Sequence, residues 1–163
     1  MTSEVDKQEF REAMSRLGAA VNIITTAGEA GQTGFSATAV CSVTDSPAML
    51  LICLNHSASV YDTVITNGKI CVNTLGAHQT DLAMRFGGKT PAAERFEGGA
   101  WRMSDLGVPV LEDAPVSLEC EIDSWQDVGT HRVLFCKVRH INLSASVSGL
   151  AYFGRKFIEL HSV

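Results

Sequence analysis

The stretch Val116–Asp123, VSLECEID, alternates apolar and polar side chains at every second position. A repeat of two residues is that of a β-strand, so this stretch predicts a strand with one face on the core and the other in water. Gly129-Thr130 predicts a turn into a second strand over 132–143, and Leu150–Phe157 predicts a last strand. The C-terminal part of the chain is therefore expected to be β-structure.

The preceding residues add further strands and few helices. Val21–Thr26 and Thr33–Val43 predict a hairpin across a glycine-rich turn. Ala48–Leu54, AMLLICL, is a continuous apolar run that predicts a central strand buried on both faces, and Lys69–Leu75 predicts another strand. The helices are expected over 6–17, in a short segment after Ser57 and over 79–86, followed by an irregular loop over 87–99.

About seven strand candidates with few helices between them favour an antiparallel barrel, because βαβ units need a helix between successive strands. The length of 163 residues fits one domain, 1–163, with no internal repeat. The fold class expected from these strands is therefore mainly β, an antiparallel barrel with flanking short helices.

Composition and charge exclude several classes of protein. A net charge of -5 leaves no basic excess for a nucleic-acid backbone, so no nucleic-acid partner is expected. The charged N-terminus resembles no signal peptide, and no apolar run has the length of a membrane span, which predicts a cytoplasmic protein without membrane contact. The five cysteines have no C-x-x-C spacing and the five histidines no metal-ligand spacing, so reduced thiols and no metal site are expected.

Two segments in the first third of the chain are candidate ligand sites. Gly28, Gly31 and Gly34 form G-x-x-G-x-x-G, but a strand-like stretch follows, so no helix N-terminus is available for a pyrophosphate and a plain hairpin turn is favoured. Ser36–Ala39 are all small where a strand usually has large side chains. Small residues let a flat ligand such as a flavin approach the backbone, although tight sheet packing explains the run about as well.

Six stretches carry a resemblance to a known family: FREAMSRLGAAVNIITT, GFSATAVCSVTDSPAMLLICLN, KICVNTL, FGGKT, VGTHRVLF and GLAYFGRKF. In this order and spacing, from Phe10 to near Phe157, they resemble the flavin reductase components of two-component flavin monooxygenases. Within that family the stretches resemble the reductases that serve the 4-hydroxyphenylacetate hydroxylase and the pyrimidine-degrading oxygenase. The resemblance implies a six-stranded Greek-key split barrel that forms a homodimer.

The resemblance also implies which residues bind the flavin. The isoalloxazine ring is expected against a run of small residues and its neighbours: Ser36, Ala37, Thr38, Ala39, Val40, Cys41 and Ser42. The ribityl chain and phosphate are expected at Asn55, Ser57, Ala58 and Ser59. Some relatives carry lysine where Ser57 and Ser59 stand here, so hydroxyls, backbone N–H groups and Lys89 are the expected phosphate ligands. Phe86, which opens the FGGKT stretch, is expected to contact the cofactor.

The nicotinamide is expected near His131, which corresponds to the family's G-x-H turn and is the one residue assigned to the catalytic site. A lone histidine after a hairpin turn is otherwise more often a surface residue or a cap. The closing strand, with Tyr152, Phe153 and Arg155, is expected to flank the same pocket, although aromatic side chains in a terminal strand are usually core residues.

The predicted activity is hydride transfer from NADH, with NADPH as an alternative, to FMN or FAD. The reduced flavin is expected to diffuse to a separate flavin-dependent oxygenase. Two other functions fit the same fold, namely a flavin-binding module without turnover and a related split-barrel oxidase that retains its flavin. The sequence leaves open the oxygenase partner, the choice between FMN and FAD, and the charged partner of the phosphate.

Overall fold

Seven antiparallel strands form the main sheet of the protein, which a computed structural model describes over residues 3–162. In chain order these strands are β2 (Asn22–Thr26), β3 (Thr33–Ala37), β4 (Val40–Asp45), β5 (Ala48–Asn55), β6 (Lys69–Thr74), β9 (Val116–Val128) and β10 (His131–Leu143). The expected fold class is confirmed, because the protein is mainly β and its sheets are antiparallel.

The order of strands in the main sheet is β3-β2-β6-β9-β10-β5-β4. The two edge strands, β3 and β4, are consecutive in the chain and only Thr38 and Ala39 separate them. The sheet must therefore curl until its two edges meet at this point, which is how a split barrel forms. The prediction of one strand over 33–43 was wrong, because the backbone breaks here and passes from one edge of the sheet to the other.

The run Ala48–Leu54 was predicted to be a central strand buried on both faces, but the strand that it forms, β5, is neither central nor fully buried. It lies next to the edge of the sheet, between β10 and β4. Leu50, Ile52 and Leu54 are buried, whereas Met49, Leu51 and Cys53, which point to the other face, are only partly buried. A continuous apolar run does not distinguish these cases, because both faces of this strand carry apolar side chains.

Four helices flank the sheet: α1 (Lys7–Ser15), α2 (Tyr61–Asn67), α3 (Thr80–Gly87) and α4 (Ala92–Arg95). α1 begins at Asp6, whose carboxylate accepts hydrogen bonds from the backbone N–H groups of Gln8 and Glu9. α2 connects β5 to β6 and ends at Gly68 in the left-handed conformation, with φ 69°. The short helix α4 lies inside the segment 87–99, which was predicted to be irregular throughout.

The wet face expected over 116–123 is covered in its first half, at Ser117 and Glu119, whereas Asp123 is exposed as expected. Ser117 and Glu119 are 1% and 3% exposed. A hairpin that the sequence analysis missed, β7 (Trp101–Met103) with β8 (Pro109–Leu111), lies next to this face. The side-chain oxygen of Asn73 accepts hydrogen bonds from the Ser117 hydroxyl and the Leu111 backbone N–H, at 3.0 and 2.9 Å. These hydrogen bonds satisfy polar groups that would otherwise be buried without partners.

The C-terminal segment forms a hairpin where a single strand over 150–157 was predicted. β11 (Ser148–Phe153) pairs with β12 (Lys156–His161), and β11 also pairs with the short strand β1 (Ala19–Ala20). Gly154 and Arg155 form the turn, with φ values of 58° and 63°. This small sheet of three strands borders one side of the site described next.

Candidate functional site

A cleft of about 380 Å³ opens between the end of β3, helix α3 and the hairpin β11–β12. This volume lies in the range of small-molecule sites. The expected residues Ser36, Ala37, Thr38 and Tyr152 line it. The remaining lining residues are mostly apolar or small: Val21, Ala83, Met84, Gly87, Gly88 and Phe157.

Small residues and aromatic rings give this cleft its shape. The hydroxyl of Ser36 donates a hydrogen bond to the Ala83 carbonyl at 2.6 Å, which ties β3 to α3. The rings of two further lining residues, Tyr152 and Phe157, lie 5.3 Å apart, centre to centre. The cleft therefore offers both small side chains and aromatic rings to a flat conjugated ligand.

Phe86 lies beneath the cleft and does not line it. It is 2% exposed and packs edge-on against Phe96, with ring centres 5.2 Å apart. A Cβ atom added at Gly34 would come within 2.9 Å of the Phe86 ring, so this glycine allows helix α3 to approach β3 closely. Phe86 was expected to contact the flavin, but its ring is held in the core by packing against Phe96. It therefore supports the cleft from below.

The small-residue run is divided by the break between β3 and β4. Val40, Cys41 and Ser42 belong to β4 and do not line the cleft. Ala39 is exposed at the break, and its carbonyl accepts a hydrogen bond from the Cys53 backbone N–H at 3.2 Å. This bond brings the run next to β5, two residues before Asn55.

Asn55, Ser57 and His131 come together at the end of β5. The side-chain oxygen of Asn55 accepts hydrogen bonds from the backbone N–H and the hydroxyl of Ser57, at 2.9 and 2.8 Å. The Ala58 N–H donates to the Asn55 carbonyl at 3.1 Å, which closes the turn. His131 is the cross-strand partner of Asn55, and its Nδ1 lies 2.8 Å from the Thr130 hydroxyl. Cross-strand partners point to the same face, so His131 and Asn55 share one side of the sheet.

A charged and aromatic cluster borders this turn, and the sequence analysis did not single it out. Arg132 donates two hydrogen bonds to the Asp127 carboxylate at 2.7 and 2.9 Å, and His56 Nε2 lies 2.9 Å from the same carboxylate. The hydrogen bonds from Arg132, followed by the contact with His56, hold the pKa of Asp127 well below its ordinary value. The Arg132 guanidinium lies 5.0 Å from the centre of the Trp125 ring. Through His56, which lies between Asn55 and Ser57 in the chain, the cluster joins the β9–β10 hairpin to the turn after β5.

Ser59 and Lys89 line a second cavity of about 640 Å³. Gly88 borders both cavities, so the two are neighbours.

Two residues of the closing segment lie elsewhere. Arg155 is in the turn between β11 and β12 and forms an ion pair with Glu12 of α1 at 3.1 Å. Phe153 is 49% exposed and does not line the cleft. The structure therefore brings Tyr152 to the cleft but neither of these two, because Phe153 follows Tyr152 on β11 and points to the opposite face, and Arg155 lies in the turn.

The described residues include buried cysteine thiols. Burial raises the pKa of Cys71 and Cys136 to about 12, so these thiols stay protonated at neutral pH and are poor nucleophiles. Residues 3–162 contain no cluster of His, Cys, Asp or Glu side chains that could hold a metal ion. Every helix in this part of the chain is too short or too polar to cross a bilayer.

Comparison with known proteins identifies relatives over almost the whole chain. Residues 14–161 match the model of the flavin reductase like domain. The FMN reductase (NADH) RutF of Agrobacterium fabrum is 53% identical over 156 residues, which cover 96% of this chain and 90% of that protein.

Two solved structures share the fold. One is the structure of a flavin reductase from Haemophilus somnus, which superposes with a TM-score of 0.93 at 42% sequence identity. The match covers 96% of this chain and 100% of that chain. The second is a homologue of nitrilotriacetate monooxygenase component B from Mycobacterium thermoresistibile, with a TM-score of 0.89 at 26% identity. It covers 96% of this chain and 87% of that structure.

Proposed function

The chain belongs to the family of flavin reductase-like domains, and from this premise we propose that it oxidises NADH and reduces FMN. The observation that carries the proposal is the cleft beside Ser36, Ala37 and Thr38, which occurs where the family resemblance expects the flavin ring. The name of the Agrobacterium fabrum relative favours FMN over FAD and NADH over NADPH.

The protein's part in this reaction is to bind the flavin and the nicotinamide and to orient them for hydride transfer. Hydride passes from the nicotinamide to the flavin, so the chemistry belongs to the two bound molecules. Ser36, Ala37 and Thr38 provide a surface without bulky side chains for the ring, and Tyr152 lines the same cleft. Asn55 and Ser57 form a preorganised turn for the ribityl chain, and His131 on the same face of the sheet contacts the nicotinamide.

The reduced flavin then leaves and serves a separate oxygenase by diffusion. The structural relative named as a monooxygenase component supports such a division of labour. NADH and reduced thiols are features of the cytoplasm, where we place the reaction.

We also propose a homodimer. Its support is the family resemblance together with apolar side chains on α1 that remain exposed in the single chain.

The activity is tested by mixing the purified, extensively dialysed protein with NADH and following the loss of reduced nicotinamide. We expect oxidation to depend on added FMN and to saturate with it, because the site offers small residues and hydroxyls and FMN acts as a substrate. FAD and NADPH should give lower kcat/KM in matched assays. Oxidation at an unchanged rate after all free and bound flavin has been removed would refute the proposal.

The same experiment separates the two other functions. A flavin carrier or sensor binds FMN but does not accelerate NADH oxidation. An oxidase on this fold retains its flavin through dialysis and shows no NADH oxidation that depends on added flavin.

A further inference from the structure

A cluster around the Asp127 carboxylate lies outside the cleft that is assigned to the flavin ring. Asp127 is near the end of β9, Arg132 is near the start of β10, and His56 is in the turn that follows β5. Arg132 and His56 both reach this half-exposed carboxylate, at 2.7 and 2.9 Å. A single exposed ion pair adds little to stability. The second donor, which comes from a separate segment, points to a role beyond holding the hairpin.

The charge on Asp127 determines how His56 is held. Hydrogen bonds from Arg132, and then from His56, lower the pKa of Asp127, so this carboxylate is ionised at neutral pH. An ionised carboxylate only accepts hydrogen bonds. Nε2 of His56, 2.9 Å from Oδ1 of Asp127, must therefore carry a hydrogen and donate it. This bond fixes the orientation of the His56 ring as well as its position.

His56 is held through its backbone as well as through its ring. Its N–H donates a hydrogen bond to the Thr130 carbonyl at 3.0 Å. Its ring also packs edge-on against Tyr61 at the start of α2, with ring centres 5.5 Å apart. His56 stands between Asn55 and Ser57, so fixing it at three points also fixes the turn that these two residues form.

The cluster lies on the face of the sheet opposite to His131. Arg132 pairs with Leu54, which is buried in the core, whereas His131 pairs with Asn55. Consecutive residues of a strand point to opposite faces, so Arg132 approaches the turn from the core side of the sheet. The cluster can therefore act through the backbone of the turn, without touching a ligand on the face of His131.

We propose that Asp127 is a positioning residue that acts through His56 on the Asn55–Ser57 turn and so raises the affinity for FMN. The inference rests on the proposed function, in which this turn receives the ribityl chain. Its physical basis is preorganisation, because a turn already held in its bound shape loses less conformational freedom when the flavin binds. Removal of the Asp127 charge frees the His56 ring and weakens FMN binding, while hydride transfer in the filled site continues.

The test compares Asp127→Asn with Asp123→Asn at saturating NADH. Asp123 stands four residues earlier on β9 and forms an ion pair with Lys137 of β10 at 3.0 Å, so it is the matched control. We expect Asp127→Asn to raise KM for FMN about three- to tenfold and to change kcat less than about twofold, because a charge-assisted hydrogen bond is weakened. Asp123→Asn should leave both constants unchanged. Asp127→Glu, which keeps the carboxylate, should raise KM less than Asp127→Asn does.

A double variant tests the route through His56. His56→Ala removes the link to the turn and leaves the Arg132–Asp127 pair in place. If Asp127 acts through His56, the two changes are not additive, and the double variant should raise KM for FMN no more than the larger of the two single changes. If Asp127→Asn does not fold, as thermal melting would show, His56→Ala and Asp127→Glu carry the same prediction for KM.

Three results would overturn the proposal. They are an unchanged KM for FMN in Asp127→Asn, additive effects in the double variant, and equal losses in Asp127→Asn and Asp123→Asn, since the cluster would then only stabilise the hairpin. The Kd for FMN from fluorescence titration repeats each comparison without turnover. If the unaltered protein binds FMN but does not oxidise NADH, the proposed function fails, while these titrations still decide the role of Asp127.

Discussion

The role proposed for His131, contact with the nicotinamide, depends on how Asn55 and Thr130 position its side chain. It begins β10 directly after the two-residue turn, where Gly129 has φ 56°. Its partner across the sheet is Asn55, and its ring is held by the Thr130 hydroxyl. A half-buried imidazole held in this way can present its other nitrogen to a ligand on the same face of the sheet.

We expect His131→Ala to lower kcat/KM for NADH and to change the Kd for FMN little, because it removes a contact made only when both substrates are bound. The loss of one neutral hydrogen bond or stacking contact suggests about 1–2 kcal/mol, or roughly 5- to 30-fold. Steady-state kinetics and flavin titration measure the two quantities. His140→Ala, an exposed histidine on the same strand, is the control. A large fall in Tm with unchanged NADH kinetics would make His131 a structural residue.

At the scale of elements, the break between β3 and β4 matters most. The chain leaves one edge of the sheet at Ala37 and joins the other at Val40. Ala39 is exposed, so a larger side chain at this position would extend into solvent and would not disturb the packing of the core.

We therefore expect Ala39→Leu to weaken FMN binding while the Tm moves by only a few degrees, because Ala39 directly follows the cleft residue Thr38 and the family resemblance assigns it to the flavin ring. Fluorescence titration with FMN and thermal melting distinguish the two effects. Ala39→Ser keeps a small side chain and should bind normally. A folded Leu variant with unchanged affinity would mean that the small residues serve sheet packing alone.

At the scale of the whole molecule, an apolar surface on α1 remains exposed among residues 3–162. Phe10 and Met14 lie on one side of α1 and are 57% and 47% exposed. Leu17 continues this surface toward Phe153, which lies close to Gly18. Exposed apolar side chains that cluster in this way are typical of an interface between subunits.

We expect the protein to be a dimer in solution and Phe10→Glu combined with Met14→Glu to shift it toward monomer, because charges there would be buried without partners. Sedimentation velocity at several concentrations measures the shift. Gln8→Glu, on the opposite side of the same helix, should leave the dimer intact. A monomer in the unaltered protein, or a dimer unaffected by both charges, would contradict this prediction.

The sequence by itself determined the class of fold and the identity of most elements. Side-chain periodicity is local, so the β2–β3 and β9–β10 hairpins and the helix over 7–15 could be predicted from it. The resemblance pointed to Ser36, Ala37, Thr38 and Tyr152, which the structure brings to one cleft.

Only the tertiary structure decided which polar residues are covered and which distant segments meet. Ser117 and Glu119 alternate with apolar residues as in a strand with a wet face, but burial depends on the β7–β8 hairpin and on Asn73. Arg95 stands in a polar, glycine-rich segment that reads as a loop, and its burial beside Gly34 joins residues far apart in the chain. Local patterns report what a strand or helix can bury, whereas long-range packing decides what covers it.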